Sequence, residues 1–244
     1  PAFALEQVRN VMERMATLSR ETLLMALETI DHYDAKKIEQ VVANEDEIDK
    51  YEDRLGTYLV QLSTRQIVEK DSNEIGMFLH MIGDFERISD HAVNLTEVSQ
   101  EMHDKRLSFS DAATTEIRVF SDALREILDN AFDAFLKEDL EEARLVEPLE
   151  EVIDALQAEI RARHVLRLRE GTCTIELGFV LSDLLTNMER VSDHCSNIAA
   201  TLIQTKNETF DMHSYLQSVK AADGDEAFTA HVKEYSEKYA LPTA

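Results

Sequence analysis

Glycine and proline are scarce in this chain, 6 and 3 among 244 residues. So little turn-forming material excludes an architecture of many tight turns and leaves long helices as the main element. Two cysteines, Cys173 and Cys195, are too few to staple a fold of this size or to build a thiolate zinc site, and they fit a reducing cytoplasm. No secretory leader and no apolar run near 18 residues is visible, which excludes a bilayer span in this sequence. Basic residues number 25 against 49 acidic ones, for a formal net charge of -24. That balance repels a phosphate backbone and excludes nucleic acid as an electrostatically held partner. Cations are the natural small partners. The first residue is Pro1 and not Met, which fits a domain excised from something longer.

What the sequence does contain is helical periodicity almost throughout, with short breaks. DHYD at Asp31 to Asp34 and VEKDSN at Val68 to Asn73 punctuate the first half, and KRLSFSD at Lys105 to Asp111 is the longest polar break, with Ser110 or Asp111 as N-cap. The pattern then restarts: Asp34 finds a counterpart in Asp139, Glu45 and Asp49 in Glu150 and Asp154, and ERISDHAVNL at Glu86 to Leu95 in ERVSDHCSNI at Glu189 to Ile198. The expected fold is all-α: two tandem three-helix bundles and a C-terminal helical tail. Helices are expected near 5–30, 35–66 and 72–103, then 111–137, 139–168 and 174–206. The domains are 1–105, 106–206 and a tail at 207–244, in which AADGDE (Ala221 to Glu226) forms a turn before a helix from Asp225 to Tyr239.

An α-helix advances about 100° per residue. On that count Ile75, Phe78, Leu79, Ile82, Phe85 and Val93 share one stripe, and Glu86 and Asp90 fall at about 40° and 80° from its centre. The second copy repeats this with Leu181, Leu185 and Met188 beside Glu189 and Asp193. The middle helix of each half carries a further pair, Glu45 with Asp49 and Glu150 with Asp154, so two helices per bundle aim an ExxxD pair at each other. Acids at one residue in five produce many such pairs by chance. Four of them in equivalent places of two repeats, each third helix adding an Asn one turn on (Asn94, Asn197), is a pattern that solvation does not require. A buried carboxylate needs a compensating partner. Two readings compete on equal terms: an oxygen-rich cage for a hard cation, with room for more than one ion, and an ion-pair scaffold in which Arg87 and Arg190 neutralise the same acids. His91 and His194 lie about 100° further round and are expected on a polar face or in a capping role, not as ligands. Cys195 is expected in the core.

Two three-helix repeats, each with ExxxD on its middle helix and ERxxDHxxN on its third, resemble the PhoU family of phosphate-uptake proteins. The stretches ALEQVRNVMERMA, FERISDHAVNL and HVLRLREGTCTIELGFVLSDLLTNMERVSDHCSNIA are similar to the PhoU-like C-terminal domain of bacterial sodium/phosphate cotransporter family proteins. The resemblance implies a regulatory or accessory domain on the cytoplasmic side of a phosphate transporter, with multinuclear metal clusters, usually iron and in other cases another divalent ion. Carried onto this chain, the ligands are Glu45, Asp49, Glu86 and Asp90 in the first bundle and Glu150, Asp154, Glu189 and Asp193 in the second. Glu52 has Gln157 as its counterpart, so the two sites are expected to differ in affinity. The transporter is a partner either covalently linked or separate, with phosphate held on the metal as a further ligand. The alternative in the same class is a free-standing PhoU-type regulator of a separate transporter or sensor kinase. No direct lipid binding is expected at this charge. No nucleotide-binding loop or activated nucleophile marks an enzyme. A di-iron carboxylate enzyme would place Glu three residues before a His, and none of the 8 His has one.

Overall fold

A computed structural model describes residues 2–65, 68–206 and 226–243 of the chain. Every regular element among them is an α-helix: α1 Ala2–Asp31, α2 Ala35–Ser63, α3 Glu69–Lys105, α4 Asp111–Lys137, α5 Leu140–Arg144, α6 Val146–Arg169, α7 Ile175–Lys206 and α8 Glu226–Lys238. None is long and apolar enough to cross a membrane.

The helices bury one face each; of the stripe expected on α3, Ile75, Phe78, Ile82 and Phe85 are buried and Leu79 and Val93 half-buried. On α1 the residues Leu5, Val8, Met12, Met15, Leu23, Ala26 and Leu27 are removed from solvent, at the three-and-four steps that keep side chains on one face. On α2 the buried set is Val41, Ile48, Leu55, Leu59 and Leu62. The repeated aspartates are caps: Asp34 accepts from the backbone N–H groups of Lys36 and Lys37 at 3.0 and 3.2 Å, and Asp139 accepts from those of Glu141 and Glu142 at 3.0 and 3.2 Å. Each occupies two of the orphan donors of a helix start. Ser110 caps α4 in the same way, accepting from Ala113 N–H at 3.2 Å.

One expected helix is broken. The segment 139–168 divides into α5 and α6 at Leu145. Pro148 has no N–H to give the carbonyl of Arg144, and its ring crowds that carbonyl, so it fits inside the first turn of a new helix but not inside a continuing one. Helix α8 spans Glu226–Lys238, inside the expected bounds; the turn expected at 221–226 lies almost wholly outside the described residues.

Helices α1, α2 and α3 form the first bundle, and α4, α6 and α7 with α5 form the second. α3 and α7 run antiparallel along the seam between them, since His91 meets Asn187, Asp84 meets His194 and Lys105 meets Glu176. The apolar interior is continuous across this seam. Phe85 of α3 packs on Phe132 and Phe135 of α4 with ring centroids 5.4 and 5.2 Å apart. At the rim Arg20 of α1 reaches Asp133 of α4 at 2.9 Å. Helix α8 lies on the second bundle: Tyr235 is buried, Asn130 donates to its hydroxyl at 3.4 Å, and Lys238 and Tyr239 both reach Glu126.

Candidate metal centres and the seam between them

The structure brings together part of the acidic motif set, and the two bundles are not equivalent. In the second, one carboxylate oxygen each of Glu150, Asp154 and Asp193 lie within 4.8 Å of one another. Glu150 is buried, Asp193 half-buried and Asp154 exposed, so the group opens to solvent on the α6 side. Glu189 lies beside it. Its carboxyl is held above the usual range by burial first, then by the charges of Asp193 and Asp154, with Arg190 and Arg161 opposing.

In the first bundle Asp90 is the centre. Glu45 from α2 and Glu86 from α3 both lie close enough to Asp90 for its charge to raise their carboxyl pKa values. Burial, and then the charge of Asp90, push Glu86 up to about 7. Burial and the same neighbour raise Glu45, and burial with Asp53 and Asp49 raises Glu52. Asp49 is exposed and acts on this group through its charge. Among the described residues only the second bundle brings three donor atoms within 4.8 Å.

The arginines proposed as neutralising partners are surface residues. Arg87 lies 3.7 Å from Glu86 and 3.8 Å from Asp90 with 65% of its side chain exposed, and Arg190 lies 3.3 Å from Asp193 with 59% exposed. Exposed pairs at such distances contribute little. One cation against four acids does not compensate the first bundle; in the second, Arg161 adds a weaker influence from a side chain engaged with Thr186 at 2.9 Å.

His91 and His194 are neither capping nor idle polar-face residues. They tie the bundles together. His91 Nδ1 is 2.9 Å from Asn187 Oδ1, to which Asn94 also donates at 3.0 Å. With the helices exchanged, His194 Nδ1 is 2.9 Å from Asp84 Oδ1, to which Asn197 donates at 3.4 Å. The two imidazoles lie 5.6 Å apart. Burial lowers the pKa of His91, favouring its neutral form. The repeated block therefore does two jobs: Glu and Asp face the middle helix, while His, about 100° beyond the Asp, and Asn, about 40° beyond it, reach the opposite bundle. Asp84 and Asn187, two residues before the ERxxDH blocks, were not visible as functional because they differ between copies. Cys195 is buried as expected, and desolvation drives its thiol far up.

A duplicated three-helix bundle with paired acids on its second and third helices, joined by a His/Asn seam, defines a tandem-repeat helical protein with two candidate cation sites. The model of the PhoU domain matches residues 12–99 and 117–202, and the chain belongs to the PhoU domain family. It is 25% identical over 215 residues, 88% of this chain and 91% of the other, to the phosphate-specific transport system accessory protein PhoU homolog 1 of Thermotoga maritima. It shares its fold with PhoU from Pseudomonas aeruginosa (TM-score 0.78, 23% identity, 84% of this chain and 98% of that one). The phosphate transport system regulatory protein PhoU from Streptococcus pneumoniae is a further match (TM-score 0.74, 16% identity, 86% and 98%).

Proposed function

We propose that the chain is an accessory regulator of phosphate transport, acting on a separate membrane transporter and responding to hard cations held by its two acidic centres. The convergence of Glu150, Asp154 and Asp193 within 4.8 Å carries the metal reading, because three oxygens at that spacing suit a hard or borderline divalent ion. In the second bundle Glu150, Asp154, Glu189 and Asp193 would hold it, and in the first Glu45, Asp49, Glu86 and Asp90. A cation bound there would supply the positive charge that offsets the mutual repulsion of these carboxylates. Iron is the ion proposed, with other divalent ions as substitutes and phosphate as an added ligand.

The match to a named accessory protein over nine-tenths of that protein's length supports the free-standing regulator over the expected cotransporter domain. A regulatory and non-catalytic role on the cytoplasmic face is part of the same reading. Asp90 and Asp193 each precede a seam histidine, so a change of charge in either centre reaches the contact between bundles in one residue step. Contact with the membrane runs through the protein partner, and sedimentation with anionic vesicles lacking any transporter would contradict that.

Elemental analysis of protein purified without chelator tests the metal reading. A transition or divalent metal is expected, together with a higher melting temperature on adding iron, manganese, zinc or magnesium. Metal-free protein that gains no stability from any of the four overturns it.

A further inference from the structure

The junction of the repeats holds a cavity of about 830 Å³, within the range of small-molecule sites. It opens where the C-terminal ends of α1 and α3 meet the start of α4, and its lining includes none of the eight motif acids. The floor is apolar, formed by Ile30, Leu107, Phe109 and Ile117. One wall is the ring of Tyr33 stacked on His103, with centroids 3.6 Å apart and planes within 4°. The Tyr33 hydroxyl donates to Gln100 Oε1 at 2.9 Å and fixes that ring in place.

The local charge opposes that of the whole chain. Arg106 and Arg118, with His32 and His103, face a single lining carboxylate, Asp31, in a sequence with 49 acids against 25 bases. Neither guanidinium has an ion pair or side-chain hydrogen bond among the described residues, whereas Arg9, Arg20, Arg163 and Arg167 are all engaged by carboxylates. Arg106 is the α3 C-cap, in the left-handed conformation that Glu138 also takes at the end of α4. Two guanidinium groups without ion pairs, beside a stacked aromatic pair over an apolar floor, have the form of a binding site.

We propose that this cavity binds a nucleoside phosphate, Arg106 and Arg118 taking the phosphate and the Tyr33–His103 stack taking the base. Guanidinium forks match phosphate oxygens in pairs, and an aromatic platform accepts any base on its π-face. An inorganic anion would leave the ring wall and apolar floor uncovered, and an uncharged ring compound would leave both arginines unanswered. The site goes beyond the regulatory reading and is independent of the metal centres.

Isothermal titration of the full chain with ADP, in chelator so that no nucleotide is held through a cation on the acidic centres, tests it. ADP is expected to bind at least about tenfold more tightly than adenosine or inorganic phosphate. R106Q/R118Q should lose about tenfold or more in ADP affinity, and Y33L should weaken ADP while leaving inorganic phosphate unchanged. Both arginines are exposed, so the ligand-free melting temperature should stay at the parent value; if the double variant melts lower, R118Q alone carries the comparison. No heat of binding at about 1 mM ADP, equal affinity for ADP and inorganic phosphate, or parental ADP affinity in the arginine variants would overturn the proposal.

Discussion

His194 and Asp84 meet at 2.9 Å across the seam between the bundles, in a contact that leaves the histidine side chain 19% and the aspartate 12% exposed. The matching contact, His91 to Asn187, has an amide where this one has a carboxylate. Changing Asp84 to Ala leaves both His194 and Asn197 without their shared acceptor. Urea unfolding should register a loss of about 1–3 kcal/mol, against a smaller one for Asn187→Ala. A double-mutant cycle between Asp84→Ala and His194→Ala should return a coupling of at least about 0.5 kcal/mol.

Glu86 sets a pH dependence of the metal-free protein. Its folded pKa of about 7 lies above that of an unfolded glutamate, so between those values the folded chain binds more protons than the unfolded one, and stability falls as pH rises. Metal-free protein should lose about 1–3 kcal/mol from this group between pH 4.5 and 8. Glu86→Gln has no such proton to lose, so its stability at pH 8 should exceed that of the parent in chelator. Chemical denaturation at a series of pH values decides it; a rise in parent stability across that window that Glu86→Gln abolishes would contradict the assignment.

The double change Glu86→Gln and Asp90→Asn separates the cation cage from the ion-pair scaffold. In the cage the first bundle loses its metal while Glu150, Asp154, Glu189 and Asp193 keep theirs, and the stability difference from the parent grows with metal concentration by mass action. In the scaffold the difference is the same with chelator and with added metal. Thermal melts of both proteins under the two conditions distinguish them.

Glu116 is a buried carboxylate gripped by Arg167 through two bonds, at 3.0 and 2.8 Å, with Arg163 at 3.5 Å. Its side chain is 4% exposed. Glu116→Gln should cost about 3 kcal/mol because it strands guanidinium charge in the interior. Glu116→Leu combined with Arg167→Met should cost less than Glu116→Leu alone, as read by calorimetry.

Much of this architecture was legible in the sequence because it rests on periodicity and local capping. The stripe of α3 around Ile82, the Ser110 cap and the bounds of α4 follow from spacing within one segment. The division at Leu145 was not anticipated, although its cause is local: Pro148 stands within a strongly helical pattern that reads as one helix over 139–168. The seam was not legible: which helix face meets the other bundle depends on how α3 and α7 cross, and no residue count within either repeat contains that. The histidines could be placed away from the acids by angle, but nothing in the sequence says that a surface 100° from the cage is covered by a second bundle. The same reason hid Arg106 and Arg118, which lie on different helices and meet only at the junction.

The seam has an exchange property that reaches beyond one chain. His91 of the first repeat meets position 187 of the second, and His194 of the second meets position 84 of the first, which are equivalent positions in the two copies. Such reciprocity is the contact rule of an isologous dimer, in which patch i on one subunit meets j on the other and j meets i. A single repeat carrying His, Asn and an acceptor two residues before its ERxxDH block would be self-complementary. Joined by the 105–111 linker, the same surfaces are held at high effective concentration and are free to diverge, as Asp84 and Asn187 have.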